Sequence, residues 1–358
     1  MGAFIKRMGV PTFIVAVFLI IILVSAFALG LSVPVLISDA LRRVGMNGLL
    51  VLAMVPAIKS GTGPNFALPI GIVGGLFALV CCMELDIMGF QLLLFSSLLA
   101  IVICVLMGWV YGKLLNAVKG AEMTIATYTG FSIVALFAIL WLTVPFSNKK
   151  MGWMLGKGLR ETIQMDAFKA DEIISRIGMF NIGGTKEVVD GVVTYTGGVT
   201  IPTGILLLFL LGCLLVSLFF KTKTGIAIYA GGVNPRFAQA SGLDTNRYRV
   251  IANIISTVLA GLGIIVYSQG WGYGQLYSAP LNMAFPAVAG VLIGGATASK
   301  ATCVHVVIGV CLFQGLLTSA MPVSNLLFPG TDLPEIMRMI IQNGVILYAL
   351  TQVKGGGR

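Results

Sequence analysis

The sequence predicts an all-α integral membrane protein, a bundle of about ten transmembrane helices in which two segments are discontinuous. Three observations carry this prediction. The 358 residues are 58% hydrophobic and 10% charged, with a mean hydropathy of +1.00, whereas soluble domains carry about 25% charged residues. Apolar stretches of about 20 residues recur along most of the chain, and each is long enough to cross about 30 Å of hydrocarbon as a helix. Runs such as 13–29 do not alternate apolar with polar residues, as a membrane barrel built from strands of about ten residues requires.

Hydropathy, punctuated by Gly and Pro, places helices at 11–31, 46–59, 66–83, 89–115, 124–146, 201–220, 250–268, 283–295, 303–320 and 335–352. The first follows Lys6 and Arg7 as a signal peptide would. Its apolar run exceeds the roughly 7–15 residues of a signal sequence and no A-x-A-like site closes it, so it is read as a retained helix. Segments 46–59 and 283–295 are too short to cross alone. The first breaks at Ser60-Gly61-Thr62-Gly63-Pro64 and the second at Gly294-Gly295-Ala296-Thr297. Each is a short run containing a proline, Pro56 or Pro286, followed by a Gly-rich break and a second apolar run. Such paired broken helices mark the substrate path in repeat-built transporters, although Gly and Pro are also common in membrane helices generally.

Loop charge sets the expected orientation. Lys6, Arg7, Lys113, Lys119, Lys221, Lys223, Arg236, Arg247, Arg249, Lys354 and Arg358 fall on one side if both termini are cytoplasmic, which satisfies the positive-inside rule. Glu84, Asp86, Asp332 and Glu335 then lie outside. Arg42 and Arg43 are the exception, assigned to an outer-surface amphipathic helix with Val33, Leu36, Ile37 and Leu41. Parity closes when each broken pair enters and leaves from the outer side. The single transmembrane domain, 1–358, thus carries an extracytoplasmic insert at 147–200 and a cytoplasmic loop at 221–249. Within the insert, apolar residues at helical spacing from Leu159 to Ile177 predict an amphipathic helix, and 188–195 around Asp190-Gly191 a hairpin. The insert is either a docking surface or lid, or a cap packed on the bundle.

Several chemistries are excluded. The net charge of +10 follows from cytoplasmic loops, and no basic stretch interleaved with aromatics points to nucleic acid. Cys81, Cys82, Cys104, Cys213, Cys303 and Cys311 lie in or beside apolar runs without C-x-x-C spacing and read as small hydrophobes. The one histidine, His305, has no carboxylate neighbour for a catalytic triad, no set of residues has metal-ligand spacing, and Gly156-Lys157-Gly158 and Gly183-Gly184-Thr185-Lys186 lack the full phosphate-loop pattern. Ion-coupled carriers keep intramembrane Asp, Glu or His. Here the main candidates are Lys59 and Lys300, each beside a break, and Arg338, and lysine is a poor sodium ligand, so energy is expected to enter elsewhere, through 221–249, where a turn, a short helix and a Gly stop run from Gly232 to Leu243.

That loop carries a resemblance. The run Thr224-Gly225-Ile226-Ala227-Ile228-Tyr229-Ala230-Gly231-Gly232-Val233-Asn234 through Ala240-Ser241-Gly242-Leu243 is similar to the cytoplasmic loop of ribose-type permeases, the membrane subunits of bacterial ABC importers for monosaccharides and related solutes. Ala289-Gly290-Val291-Leu292-Ile293-Gly294-Gly295-Ala296-Thr297 resembles the family's apolar run ending in Gly-Gly-Thr or Gly-Gly-Ser. Lys119-Gly120, the Ser60-Gly61 break and the final helix also correspond. The resemblance implies a type II-like importer: a homo- or heterodimer of permeases in the bacterial inner membrane, a separate ATPase subunit that binds the ATP, and an extracytoplasmic solute-binding protein. The permease itself holds no cofactor, is not an enzyme and touches only membrane lipid besides these partners. Asn234, Arg236, Phe237, Ser241 and Gly242 then form the ATPase-coupling loop. Position at the breaks proposes Asn47, Ser60, Gly61, Asn65, Phe66, Asn282, Phe285, Gly294 and Gly295 for the translocation path, each of which could equally cap or pack a helix. Two departures bear on the solute: the stretch after Ser60-Gly61 lacks the carboxylate of the family's S-G-x-D-L-S-x-G, and the insert is longer than in sugar permeases. The rival reading is an ion-coupled secondary transporter.

Overall fold

The computed structural model describes residues 10–153, 158–189 and 192–329, together with positions 336, 339, 340, 343, 344 and 347. The predicted helix 335–352, and Lys6, Arg7, Gly156, Lys157, Asp332, Glu335, Arg338, Lys354 and Arg358, lie wholly or largely outside the described residues.

Helix α1 (Val10–Ala28) is followed by α2 (Val33–Leu52) and α3 (Met54–Lys59), then α4 (Leu68–Glu84), α5 (Gly89–Ala117) and α6 (Glu122–Thr143). The insert holds β1 (Thr162–Gln164), the short α7 (Ile173–Arg176) and strands β2 (Phe180–Ile182), β3 (Thr185–Val189), β4 (Val192–Thr196) and β5 (Val199–Ile201). Helices α8 (Thr203–Phe219), α9 (Lys223–Val233), α10 (Pro235–Ala240) and α11 (Thr245–Trp271) precede β6 (Tyr273–Gln275), α12 (Ala279–Ile293) and α13 (Cys303–Leu327). Among the described residues six helices are long and apolar enough to cross a bilayer, α8 and α9 reach that length only when taken together across a bend of 78°, and α4 and α12 are shorter apolar helices. The outer helices α1, α5 and α6 turn most of their surface outward, while α2 and α11 are mostly buried. This is the radial order of a bundle whose centre is packed protein and whose rim is lipid.

Three expectations are corrected. Segment 46–59 is not a short half-helix: α2 and α3 run almost continuously over Val33–Lys59, 27 residues, about 40 Å at 1.5 Å per residue. The helix starts early because Pro34 sits in its first turn after Ser32, where a missing N–H costs nothing. Arg42 and Arg43 therefore lie within this helix and not on a separate surface helix. Their charges are met by protein: Arg42 pairs with Glu172 of the insert, and the Arg43 guanidinium stacks 4.7 Å from the Trp271 ring centroid. Lastly, 159–177 does not form one amphipathic helix. It divides into β1, a single turn at Asp166–Phe168 and α7, because β1 pairs with β6 in antiparallel register, Thr162 opposite Gln275 and Gln164 opposite Tyr273. The helical spacing of its apolar residues is real, but a strand partner more than 100 positions away satisfies the backbone first.

The hairpin forms as predicted, β3 against β4 with Val189 opposite Val192; positions 190 and 191 lie outside the described residues. Between the two readings of the insert, packing is what the structure displays. Leu159, Ile163, Met165, Phe168 and Ala170 are all at most 2% exposed and belong to the main core. Backbone bonds tie them down: Leu159 N–H donates to Trp141 O at 3.0 Å and Met165 N–H to Gly272 O at 2.8 Å. The cap also gathers helix ends, since the Glu84 carboxylate at the end of α4 accepts from the N–H groups of Ser147 and Asn148 at 2.6 and 3.2 Å. With α2 starting under the cap and α4 returning to it, the first broken pair leaves from and comes back to the insert end of the bundle.

Candidate functional site

Both breaks lie at the opposite end, the first packed against α9 and the two lining a common cavity. After Lys59 the chain turns through Gly61 and Gly63 at φ +78° and +79°, a region that favours glycine. The turn closes on itself: Ser60 Oγ and Thr62 Oγ1 each donate to Ala57 O, at 2.8 and 2.9 Å. At the second break Gly294 caps α12, Gly295 takes φ +95°, and Thr302 Oγ1 accepts from His305 N–H at 3.3 Å to start α13. Thr12 at the start of α1 donates to Ile293 O at 2.6 Å and covers this end of α12. Gly294 and Gly309 are required by contact: a Cβ at Gly294 would overlap His305 O, and one at Gly309 would overlap Gly290 O. Helices α12 and α13 thus meet backbone to backbone, as small residues permit in membranes. Gly61, Thr62 and Gly63, the α5–α6 turn from Gly120 to Thr124, and Ala298 line one cavity of about 320 Å³ between the two breaks.

The predicted path residues separate into three kinds. Asn65 is 3% exposed and fully engaged. Its Nδ2 donates to Ser256 Oγ at 2.8 Å, and its Oδ1 accepts from Ala67 N–H at 3.0 Å and Tyr111 OH at 3.2 Å. Ser256 passes the chain on to Ala53 O at 2.6 Å. Asn65 is therefore a knot tying the first break to α5, α11 and the α2–α3 junction. Replacing it with Leu strands three buried partners at a cost of about 1–3 kcal/mol each, and is expected to lower the unfolding midpoint of the purified protein in detergent more than Asn282→Leu does. Phe66 and Phe285 form a second kind, half-buried rings 6.1 Å apart that bring the first break and α12 together, with Asn282 exposed one turn earlier on α12. Asn47 is the third kind. It lies within α2, its Nδ2 donating to Arg43 O at 2.9 Å, 13 residues and about 20 Å along the helix from Ser60.

The coupling segment folds as its sequence suggests and shows a contact the sequence does not. Asn234 caps α10, its Oδ1 accepting from Phe237 N–H at 3.0 Å; Pro235 takes the first helical position; Ser241 ends the helix, and Gly242 follows at φ +82°. Ala238 seats this short helix at 1% exposure, while Phe237 stands 69% exposed. Arg236 is exposed beside it, with no carboxylate within 4.0 Å among the described residues. Just before α10, Gly232 presses on the first break. A Cβ there would overlap Lys59 O and lie 2.8 Å from Gly61 N, and one at Gly61 would lie 3.0 Å from the Gly232 Cα.

Lys59 is held at the same junction, its Nζ 4.1 Å from the Phe220 ring centroid and 5.8 Å from that of Tyr229. A lysine at the end of α3 is thereby satisfied by aromatic faces. At the neighbouring helix starts Arg249 pairs with Glu122 at 2.6 Å, both largely buried. Neither the Gly232 contact nor this ion pair is readable from sequence, since each joins residues more than 100 positions apart. Among the described residues no group of three metal-ligating side chains occurs, and His305 has no carboxylate partner.

Residues 36–350 match the family described as branched-chain amino acid transport system / permease component. Three curated relatives are similar to the chain. The nucleoside ABC transporter permease protein NupB of Lactococcus lactis is 25% identical over 247 residues, 68% of this chain and 61% of the relative. The xylose transport system permease protein XylH of Haemophilus influenzae is 31% identical over 150 residues, 42% of this chain and 38% of the relative. The probable branched-chain amino acid transport permease protein LivH of Methanocaldococcus jannaschii is 26% identical over 182 residues, 43% of this chain and 57% of the relative. The match spans less than two thirds of the length of each relative, and no solved structure matches the chain. A family match over nearly the whole bundle, on a helical membrane protein with the predicted breaks and loop, places the chain in the branched-chain amino acid transport system / permease component family.

Proposed function

We propose that the chain is the membrane-spanning permease subunit of an ATP-driven ABC importer in a bacterial inner membrane, with cytoplasmic termini. It takes a sugar or nucleoside delivered by an extracytoplasmic solute-binding protein. A separate ATPase subunit binds and hydrolyses ATP beneath α10, and a second permease, identical or related, completes the pathway. The permease is not itself an enzyme. The names of the nucleoside and xylose relatives support the solute class.

One observation carries the mechanism: the exposed helix α10 follows directly from a backbone contact on the first break, Gly232 against Lys59 and Gly61. Arg236 and Phe237 offer the ATPase a cation and an aromatic anchor, the residue types that dominate binding hot spots. Asn234 caps the helix that presents them, while Ser241 and Gly242 end it. When the ATPase subunits close on ATP, α10 moves and α9 drives the chain at 59–61 without a flexible side chain between. The Gly294-Gly295 turn lets the second break respond, with Gly61 and Ser60 as the hinge of the first. In this mechanism Phe66 and Phe285 supply apolar faces to a sugar ring or base and Asn282 a polar contact, whereas Asn65 holds the frame. Asn47 is assigned to the same path nearer the insert.

The test is uptake by proteoliposomes containing the chain co-purified with its partners from native membranes. ATP-dependent uptake of a labelled nucleoside or pentose, insensitive to ionophores, is the expected result. Recovery of the chain alone with ionophore-sensitive, ATP-independent uptake would replace this reading with the ion-coupled carrier.

A further inference from the structure

Between α5 and α8, under the cap, runs a groove of about 780 Å³ with almost wholly apolar walls. Its floor is closed by buried Leu93 and Ile265, and its rims are the exposed Phe90 and Leu94 on α5 and Leu207 and Leu211 on α8. On α5 it extends from Phe90 to Ile101, 11 steps, or about 16 Å at 1.5 Å each. That is the depth of one leaflet, half of a core about 30 Å thick. Ile174 and Ile177 of the insert roof it. A partner helix lying along this face would bury apolar surface beyond the groove as well, whereas the groove itself ends after Ile101 on α5.

A cationic residue adjoins the mouth. Lys169 adjoins the start of α5, its carbonyl oxygen 3.8 Å from where a Cβ on Gly89 would stand. Its side chain is exposed, and among the described residues no carboxylate lies within 4.0 Å of its ammonium. Arg176 and Lys150, two further cations in this region, are already paired, the first with Asp171 and Glu172 and the second with Asp86.

We propose that this groove is a binding site for one phospholipid of the insert-side leaflet, its acyl chain between α5 and α8 and its phosphate at Lys169. The lipid fills the seam between the cap and the bundle where side chains do not, and so fastens α7 to α5 and α8. Only the bilayer embedding of the bundle is required, so the proposal stands or falls independently of ATP coupling.

The experiment reconstitutes the full chain in bilayers containing phosphatidylglycerol with a photoactivatable diazirine on the acyl chain and maps cross-linked peptides by mass spectrometry. Labelling of 90–101 and 204–211 is expected to exceed several-fold that of the outward face of α1, where Ile20, Ile21 and Val24 are as exposed but form no groove. Leu207→Trp, which fills the groove, should remove the excess. Lys169→Glu, outside the packed core, should reduce it for phosphatidylglycerol and spare the α1 signal. Equal labelling of groove and α1 overturns the proposal. So does protection of the groove from lipid together with Leu94→Cys and Leu207→Cys cross-linking between two copies, which would make this face a subunit interface.

Discussion

Gly232→Ala is expected to abolish most solute uptake while leaving ATP hydrolysis by the assembled complex in place. A single methyl group is added, but it points into the Lys59 carbonyl and the Gly61 amide, and backbone cannot rotate away as a side chain could. Overpacking of this kind costs about 1–3 kcal/mol. If that cost falls on the arrangement in which α9 and the first break move together, uptake drops about 5- to 150-fold, since 1.4 kcal/mol is a factor of ten. The neighbouring glycine is the control. A Cβ at Gly231 meets only the Thr245 side chain, at 3.4 Å or more, so Gly231→Ala should transport normally. Both substitutions have the same helix propensity, so a difference between them reports the contact. Equal uptake by the two variants, with hydrolysis intact, would show that force reaches the breaks by another route.

Arg236→Glu should detach the ATPase subunit. The side chain stands exposed on α10 with Phe237 beside it at 69% exposure, and the helix is capped at both ends without either side chain. Reversing the charge therefore spares the permease fold and acts on the docking surface. Hot-spot side chains cost about 2–4 kcal/mol on truncation, which predicts a fall in ATPase retention of about 30- to 1000-fold. Phe237→Ala should weaken retention in the same direction without introducing repulsion. The measurement is the amount of ATPase subunit recovered with tagged permease, normalised to permease that elutes as a single species. Undiminished recovery with both variants would move the docking surface away from α10.

Much of the architecture was legible because its signals are local. Helix α10 could be placed from Asn234, Pro235 and Gly242, since cap, first-turn proline and glycine stop act within a few residues of each other. The two breaks announced themselves in the same way, through Gly61, Gly63, Gly294 and Gly295. The insert was less legible: the apolar spacing from Leu159 to Ile177 fits a helix until Tyr273 to Gln275 arrive to pair with it. Arg42 and Arg43 misled for a related reason. Two charges in an apolar run argue for a water-exposed helix when counted alone, and for an ordinary buried one once Glu172 and Trp271 are beside them.

The candidate path residues show the same division more sharply. From sequence, Asn47, Asn65 and Asn282 are equivalent polar residues near apolar breaks. In the fold Asn65 is consumed by three hydrogen bonds, Asn47 returns to its own helix backbone, and Asn282 is exposed. By itself the sequence determined that this is a membrane-embedded helical bundle, where it is interrupted and which loop resembles a coupling element. These properties follow from hydropathy, caps and turn chemistry, which depend on neighbours in the chain. Only the tertiary structure decided that Gly232 rests on Lys59 and Gly61, and that the insert is woven into the core. Those are contacts between residues far apart in sequence, and steric exclusion and hydrogen-bond satisfaction at such contacts have no local signature.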